Sequence, residues 1–242
     1  MQLMIFENND ALSREAARHI IDTVKQKPDA VLCMASGSTP ILTYAYVVET
    51  ALREKIDLSN ISFIGLDEWL GIPPDNEGSC HYFFQHHLFQ HISFNTANIH
   101  LFDALAKNPS EECKKMDAAI AAKGGIDLML VGIGMNGHIG FNEPGVAFNK
   151  YSHIVDLDET TVSVGQKYFK ETTVLKQGIT LGLQHLMESK KVLLLANREK
   201  KASIIRQTME GEISNKIPAS IMRQHTNGII MLDKEAASLI KY

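Results

Sequence analysis

Residues 126–145 read IDLMLVGIGMNGHIGFNEPG. The run 126–132 is of strand length and apolar after Asp127, the pattern of a strand buried on both faces of a parallel sheet. Gly132, Gly134 and Gly137 then follow in GxGxxG spacing. That spacing binds a dinucleotide only where it opens a helix whose N-terminus can meet the pyrophosphate. Here Gly140, Pro144 and Gly145 come at once, and a proline there interrupts the first turns of any helix. The stretch therefore reads as a buried strand running into a mobile glycine-rich loop. Three side chains in that loop, Asn136, His138 and Glu143, can carry or orient a proton.

Outward from this segment, short apolar runs alternate with longer amphipathic stretches. Strands are expected at 2–6, 30–34, 61–65, 98–101, 178–181, 191–196 and 228–232, besides 126–132. Helices are expected at 11–25, 41–54, 81–91, 110–122, 199–209 and 234–241. Asn108 and Pro109 give a cap and a first-turn signal for the fourth helix, and Asp233 can cap the last. The alternation implies an α/β fold with a doubly wound, mostly parallel, Rossmann-like sheet, in a single domain over 1–242. The Thr-rich stretch 146–176 is weakly patterned and reads as a lid.

In such a sheet the active site lies beyond the carboxyl ends of the strands. Three segments rich in Gly, Asp, His and Asn directly follow expected strands: 35–40, 66–70 and 133–145. They should converge. The first reads ASGSTP and precedes a helix, so backbone N–H groups and the hydroxyls of Ser36, Ser38 and Thr39 around Gly37 could cradle an anion. It lacks the Walker lysine, which argues against a nucleotide P-loop. The bland alternative is a tight turn with a capping hydroxyl. The second segment places Asp67 and Glu68 side by side after a strand. Their side chains point to opposite sides, so one can face the crevice while the other meets a structural partner.

Bulk properties narrow the classes further. The net charge is −4, from 24 basic and 28 acidic side chains, so no nucleic-acid partner is expected. The three cysteines, Cys33, Cys80 and Cys113, have no CxxC spacing, which argues against a disulfide framework or a zinc site. His86 and His91 form no HExxH, so no metal is expected. No apolar run is long enough to span a bilayer, and a cytoplasmic protein without membrane contact is expected.

The segments SGSTP (36–40), LDEW (66–69) and GIGMNGHIGFNEPG (132–145), in this order and spacing, resemble the glucosamine-6-phosphate deaminase (isomerase) family. The NEPG ending separates the chain from the related sugar-lactonase branch. The resemblance implies aldose-to-ketose isomerisation of a hexosamine 6-phosphate with loss of ammonia, and no metal or organic cofactor. It implies that His138 helps open the sugar ring, with Asn136 and Glu143 as its relay. Asp67 would take the C2 proton and return it at C1. Ser36, Gly37, Ser38 and Thr39 would hold the phosphate with Lys167 and Lys201, and Glu68 and Gly137 would also lie against the substrate.

The chain departs from some relatives. Asn136 stands where they have Asp, and an amide orients His138 without stabilising imidazolium by charge. Lys167 stands where some carry arginine, and an ammonium cannot make the bidentate guanidinium grip. The short sequence after the last expected helix makes allosteric activation unexpected, and a monomer or small homo-oligomer is anticipated. Trp69, Cys80 and GITLGLQH (178–185) look closer to the galactosamine-6-phosphate branch, so either epimer is a candidate substrate. The alternatives are a 6-phosphogluconolactonase-like hydrolase on the same fold and a catalytically silent sugar-phosphate sensor.

Overall fold

The computed structural model describes residues 1–241. Seven strands form one wholly parallel sheet: β1 (Gln2–Phe6), β2 (Val31–Met34), β3 (Ser62–Gly65), β5 (Ile99–His100), β6 (Leu128–Gly132), β9 (Val192–Ala196) and β10 (Gly228–Asp233). Their spatial order is β1-β10-β9-β6-β2-β3-β5. Every pairing in it is parallel. Side chains on each strand alternate between two cores. Val31, Cys33, Met129 and Val131 face one, and Leu32, Met34, Leu128 and Leu130 face the other. That double burial explains the continuous apolar runs.

Helices cover both faces. On one lie α1 (Asn9–Gln26) and α2 (Ile41–Glu54). On the other lie α4 (Pro109–Ala122) and α7 (Ala202–Glu210). The stripe Leu12, Ala16, Ile20 and Val24 turns α1 onto the sheet, and the Asn8 side chain caps it by accepting from Ala11 N at 3.0 Å. Pro109 sits in the first turn of α4 as expected, but the Asn108 side chain makes no capping bond.

The strand order places the switch point between β2 and β6. From β2 the chain proceeds outward to β3 and β5, whereas β6 leads the opposite way to β9 and β10. The loops leaving β2 and β6 therefore open a crevice between them.

Several expectations are corrected. The expected strand at 178–181 is β8 (Gln177–Thr180), and it lies outside the parallel sheet. It pairs antiparallel with β4 (Asp67–Trp69) and β7 (His153–Asp156) in a second sheet, with register Asp67↔Thr180↔His153. The stretch 146–176 is thus built structure, holding β7, α5 (Glu159–Gly165) and a 3₁₀ turn, Gln166–Tyr168. The helix expected at 81–91 is the short α3 (Cys80–Phe84) followed by a π turn, Gln85–Phe89. After α6 (Leu183–Glu188) and β9 comes a 3₁₀ turn, Glu199–Lys201, before α7. The stretch 234–239 forms turns, not a helix. Asp233 is satisfied there by Ala236 N at 2.8 Å and, further off in sequence, by Arg198 N.

Among the described residues no helix is long and apolar enough to cross a membrane. The three cysteines are free and buried.

Candidate active site

The crevice is a cavity of about 530 Å³. The three loops meet in it: Ser36, Gly37, Ser38 and Thr39 from the β2 loop, Asp67 from β4, and Gly134 and His138 from the β6 loop. Lys167 enters from the 3₁₀ turn after α5, and Lys201 from the turn ahead of α7. No helix follows β6 directly, in keeping with rejection of the dinucleotide fingerprint.

Asp67 begins β4, and its neighbours alternate about the strand. Asp67 and Trp69 face the cavity, while Glu68 turns inward and is 3% exposed. Glu68 does not line the cavity, which corrects its expected place against the substrate. Its carboxylate accepts N–H bonds from Trp69, Cys80 and His81, each at 2.9 Å, and so fixes the start of α3. Burial, and then the neighbouring Glu68 charge, push the Asp67 carboxyl up to about 7. A thiol opposes them, because Cys80 Sγ donates to Asp67 Oδ1 at 3.6 Å. Cys80 in turn accepts from the Ser36 hydroxyl at 3.0 Å, so the β2 loop and the carboxylate are linked through it.

His138 has its Nδ1 between two partners: Glu143 Oε2 at 3.2 Å and Thr161 Oγ1 at 3.0 Å. A carboxylate only accepts, so it calls for the proton on Nδ1 and leaves Nε2 as the acceptor on the cavity side. Asn136 Nδ2 donates to the same Glu143 oxygen at 2.8 Å, and Asn136 Oδ1 accepts from His138 N at 3.3 Å. Burial works to raise the Glu143 carboxyl, but its bonds to His138, Thr161 and Asn136 prevail and hold it below the usual carboxylate range. Asn136 and Glu143 stand behind the imidazole, outside the cavity wall. Glu143 supplies the negative charge that position 136 lacks.

Gly137 also stays outside the cavity lining. Its φ is +86°, a Cβ there would come within 2.9 Å of Ile217, and its carbonyl accepts from Ala219 N. Its positive φ shapes the loop, set back from the cavity.

The loop expected to cradle an anion is Ala35–Pro40. Gly37 has φ +105°, and the Tyr168 hydroxyl crosses 3.2 Å from where a Cβ would sit. α2 starts at Ile41 with no side-chain cap, so its first N–H groups face the loop without that partner. Lys201 Nζ donates to Ile133 O at 2.5 Å. Burial first, then Lys200 and Lys167, push its ammonium down to about 8.

Sequence reasoning missed Thr161, Arg198 and Lys200. The two cations follow a strand carboxyl end, so the rule that selected the other loops could have selected them too. Thr161 carried no such signal. Among the described residues no cluster of His, Cys, Asp and Glu could hold a metal ion. Trp69, the lone tryptophan, packs its ring 4.5 Å from Phe141 of the β6 loop and 6.1 Å from Phe169, against Gly165 of α5.

Residues 7–231 match the family model described as glucosamine-6-phosphate isomerases/6-phosphogluconolactonase. A glucosamine-6-phosphate deaminase of Thermoanaerobacter pseudethanolicus is 41% identical over 99% of this chain and 95% of its own. One of Clostridium perfringens is 37% identical over the whole of both. The structure of a monomeric glucosamine-6-phosphate deaminase superposes with a TM-score of 0.96 at 37% identity, over 99% of this chain and 100% of the other. A 6-phosphogluconolactonase from Trypanosoma brucei reaches 0.76 at 21% identity over 99% and 98%, a likeness of fold alone. The chain belongs to the glucosamine-6-phosphate isomerase/6-phosphogluconolactonase family.

Proposed function

We propose that the chain is a hexosamine-6-phosphate isomerase/deaminase that makes a ketose 6-phosphate and ammonia by acid–base catalysis. The observation that carries the reading is Asp67: a carboxyl raised to about 7 that shares its cavity with a supported imidazole, an anion cradle and several cations. A base of that strength is suited to removing a proton from carbon near neutral pH.

The cradle, Lys201 and Lys167 hold the phosphate; Lys167 is near enough to lower the Lys201 ammonium, and the adjoining Tyr168 hydroxyl packs on Gly37. His138 Nε2 accepts the C1 hydroxyl proton and passes it to the ring oxygen as the C1–O5 bond breaks and the pyranose opens to the aldehyde. Asp67 removes the C2 proton while the C1 oxygen takes one from the substrate ammonium, giving an enolamine, and Asp67 then returns its proton to C1. The resulting C2 ketimine adds water and loses ammonia, leaving the ketone. The stretch 146–176 acts as a lid, since it carries Thr161, Lys167 and Tyr168 to the cavity. One chain supplies every group named, consistent with work as a monomer.

The relatives' names make glucosamine 6-phosphate the first substrate to test, and none of those described above names the galactosamine epimer. The deciding assay is ammonia release from both epimers side by side, with a chelator present. Ammonia from either supports the reading, and the ratio of kcat/KM values names the substrate. No ammonia from either, with hydrolysis of a phosphogluconolactone, would replace it with the lactonase reading.

The pH profile gives an independent check. Asp67 works ionised, so kcat/KM should rise with pH through about 7. Lys201 works charged, so kcat/KM should fall above about 8. Because the substrate amine also titrates on that side, Lys201→Arg is the control. Its guanidinium stays charged, and the falling limb should move to higher pH. A limb unmoved in this variant would reassign it to the amine.

A further inference from the structure

The turn after β9 carries an arginine in a backbone shape suited to glycine. Arg198 has φ 73° and ψ 149°, a region that side chains avoid. Among the described residues, Lys55 is the one other non-glycine residue with positive φ, and it occupies the ordinary left-handed cap ending α2. The Arg198 conformation is pinned from behind. Both carboxylate oxygens of buried Asp233 accept its N–H, at 3.1 and 3.0 Å. The preceding Asn197 is buried and donates to Asn9 Oδ1 at 2.6 Å.

Strain of this kind persists where the surrounding structure enforces it, and it gathers at ligand sites. A glycine would make the same turn unstrained, so what arginine adds is its side chain. That side chain lines the cavity and is exposed. Among the described residues its guanidinium makes no hydrogen bond or ion pair. The other cations there are lysines. Lys201 is bonded to Ile133 O, and the Lys167 ammonium rests 4.6 Å from the Tyr168 ring centre. The cavity thus has a single planar fork of donors.

We propose that Arg198 is a substrate-binding residue whose guanidinium grips two oxygens of the substrate phosphate, a bidentate contact that Lys167 cannot make. The proposal rests on the phosphosugar reading above.

The test compares wild type, Arg198→Gly and Arg198→Lys in thermal melting, in calorimetric binding of inorganic phosphate, and in KM and kcat for the hexosamine 6-phosphate. Arg198→Gly should melt at or above the wild-type temperature, since its turn is unstrained. It should weaken phosphate binding and raise KM about tenfold or more, a larger change than in kcat. Arg198→Lys should recover only a small part of the affinity. Unchanged phosphate affinity and KM in a folded Arg198→Gly would overturn the proposal, as would a lowered melting temperature with affinity intact. Wild type that binds phosphate but releases no ammonia would instead sink the deaminase reading, while the phosphate affinities still decide the role of Arg198.

Discussion

Asp67→Asn should lose about three orders of magnitude in kcat while still binding the sugar phosphate, in line with removal of a positioned acid–base group. The amide keeps the shape of the carboxylate and can still accept from the Cys80 thiol, but it cannot take a proton from carbon. Stability should move the other way. The folded-state carboxyl is raised to about 7, above its ordinary value of 3.8. The folded chain therefore binds this proton more tightly than the unfolded chain does, and loses stability as pH rises from about 4 through about 7. Above that range the wild type carries a buried charge beside Glu68, whereas the Asn variant does not. The variant should melt higher than wild type in mildly alkaline buffer, and the difference should vanish in acid. Turnover close to wild type would remove Asp67 as the base, and a variant that melts lower at alkaline pH would contradict its electrostatic setting.

Gly134→Ala should lower kcat about a hundredfold, the scale of a lost general acid–base partner, with the fold retained. A Cβ at Gly134 would lie 2.3–2.5 Å from Nε2, Cδ2 and Cε1 of His138. This glycine does not have a positive φ, so alanine fits its backbone. The clash is with the imidazole, which must swing out of its place between Glu143 and Thr161. If the glycine acts through the ring alone, His138→Ala and the double variant should have equal kcat, whereas independent roles would make the losses multiply. Full activity in a folded Gly134→Ala would show that the imidazole does not need its observed place.

Much of this site is legible in the sequence because it obeys one rule. Ala35–Pro40, Asp67 and His138 each follow a buried run, and a parallel sheet brings such loops to one end. The GxGxxG spacing also reads correctly, since Pro144 and Gly145 deny it a helix. The small antiparallel sheet escapes notice. Its strands are three or four residues long, and its register joins Asp67 to Thr180 across more than a hundred positions. Local periodicity carries no trace of such a pairing. That sheet decides which acid faces the cavity, so the alternation of side chains alone could not separate Glu68 from Asp67, and the resemblance had to single out Asp67 as the base. The expected helix at 234–241 fails because the chain there turns around Asp233, whose carboxylate is shared with the distant Arg198. Nothing in a sequence announces positive φ at an arginine. Glu143 was legible as part of the relay, but its second partner Thr161 sits in a polar stretch with little pattern.

The position of Trp69 gives the protein an optical reporter. Indole emission depends on the packing and polarity around the ring, and this chain has one such ring, set two residues from Asp67 and against both Phe141 and Phe169. Excited at the red edge, where tyrosine absorbs little, the unlabelled protein emits from the meeting point of the base-bearing strand, the glycine-rich loop and the segment carrying Lys167. A shift in wavelength or quenching on adding a sugar phosphate is therefore a local signal, and stopped-flow fluorescence can time the settling of that junction against the appearance of ammonia.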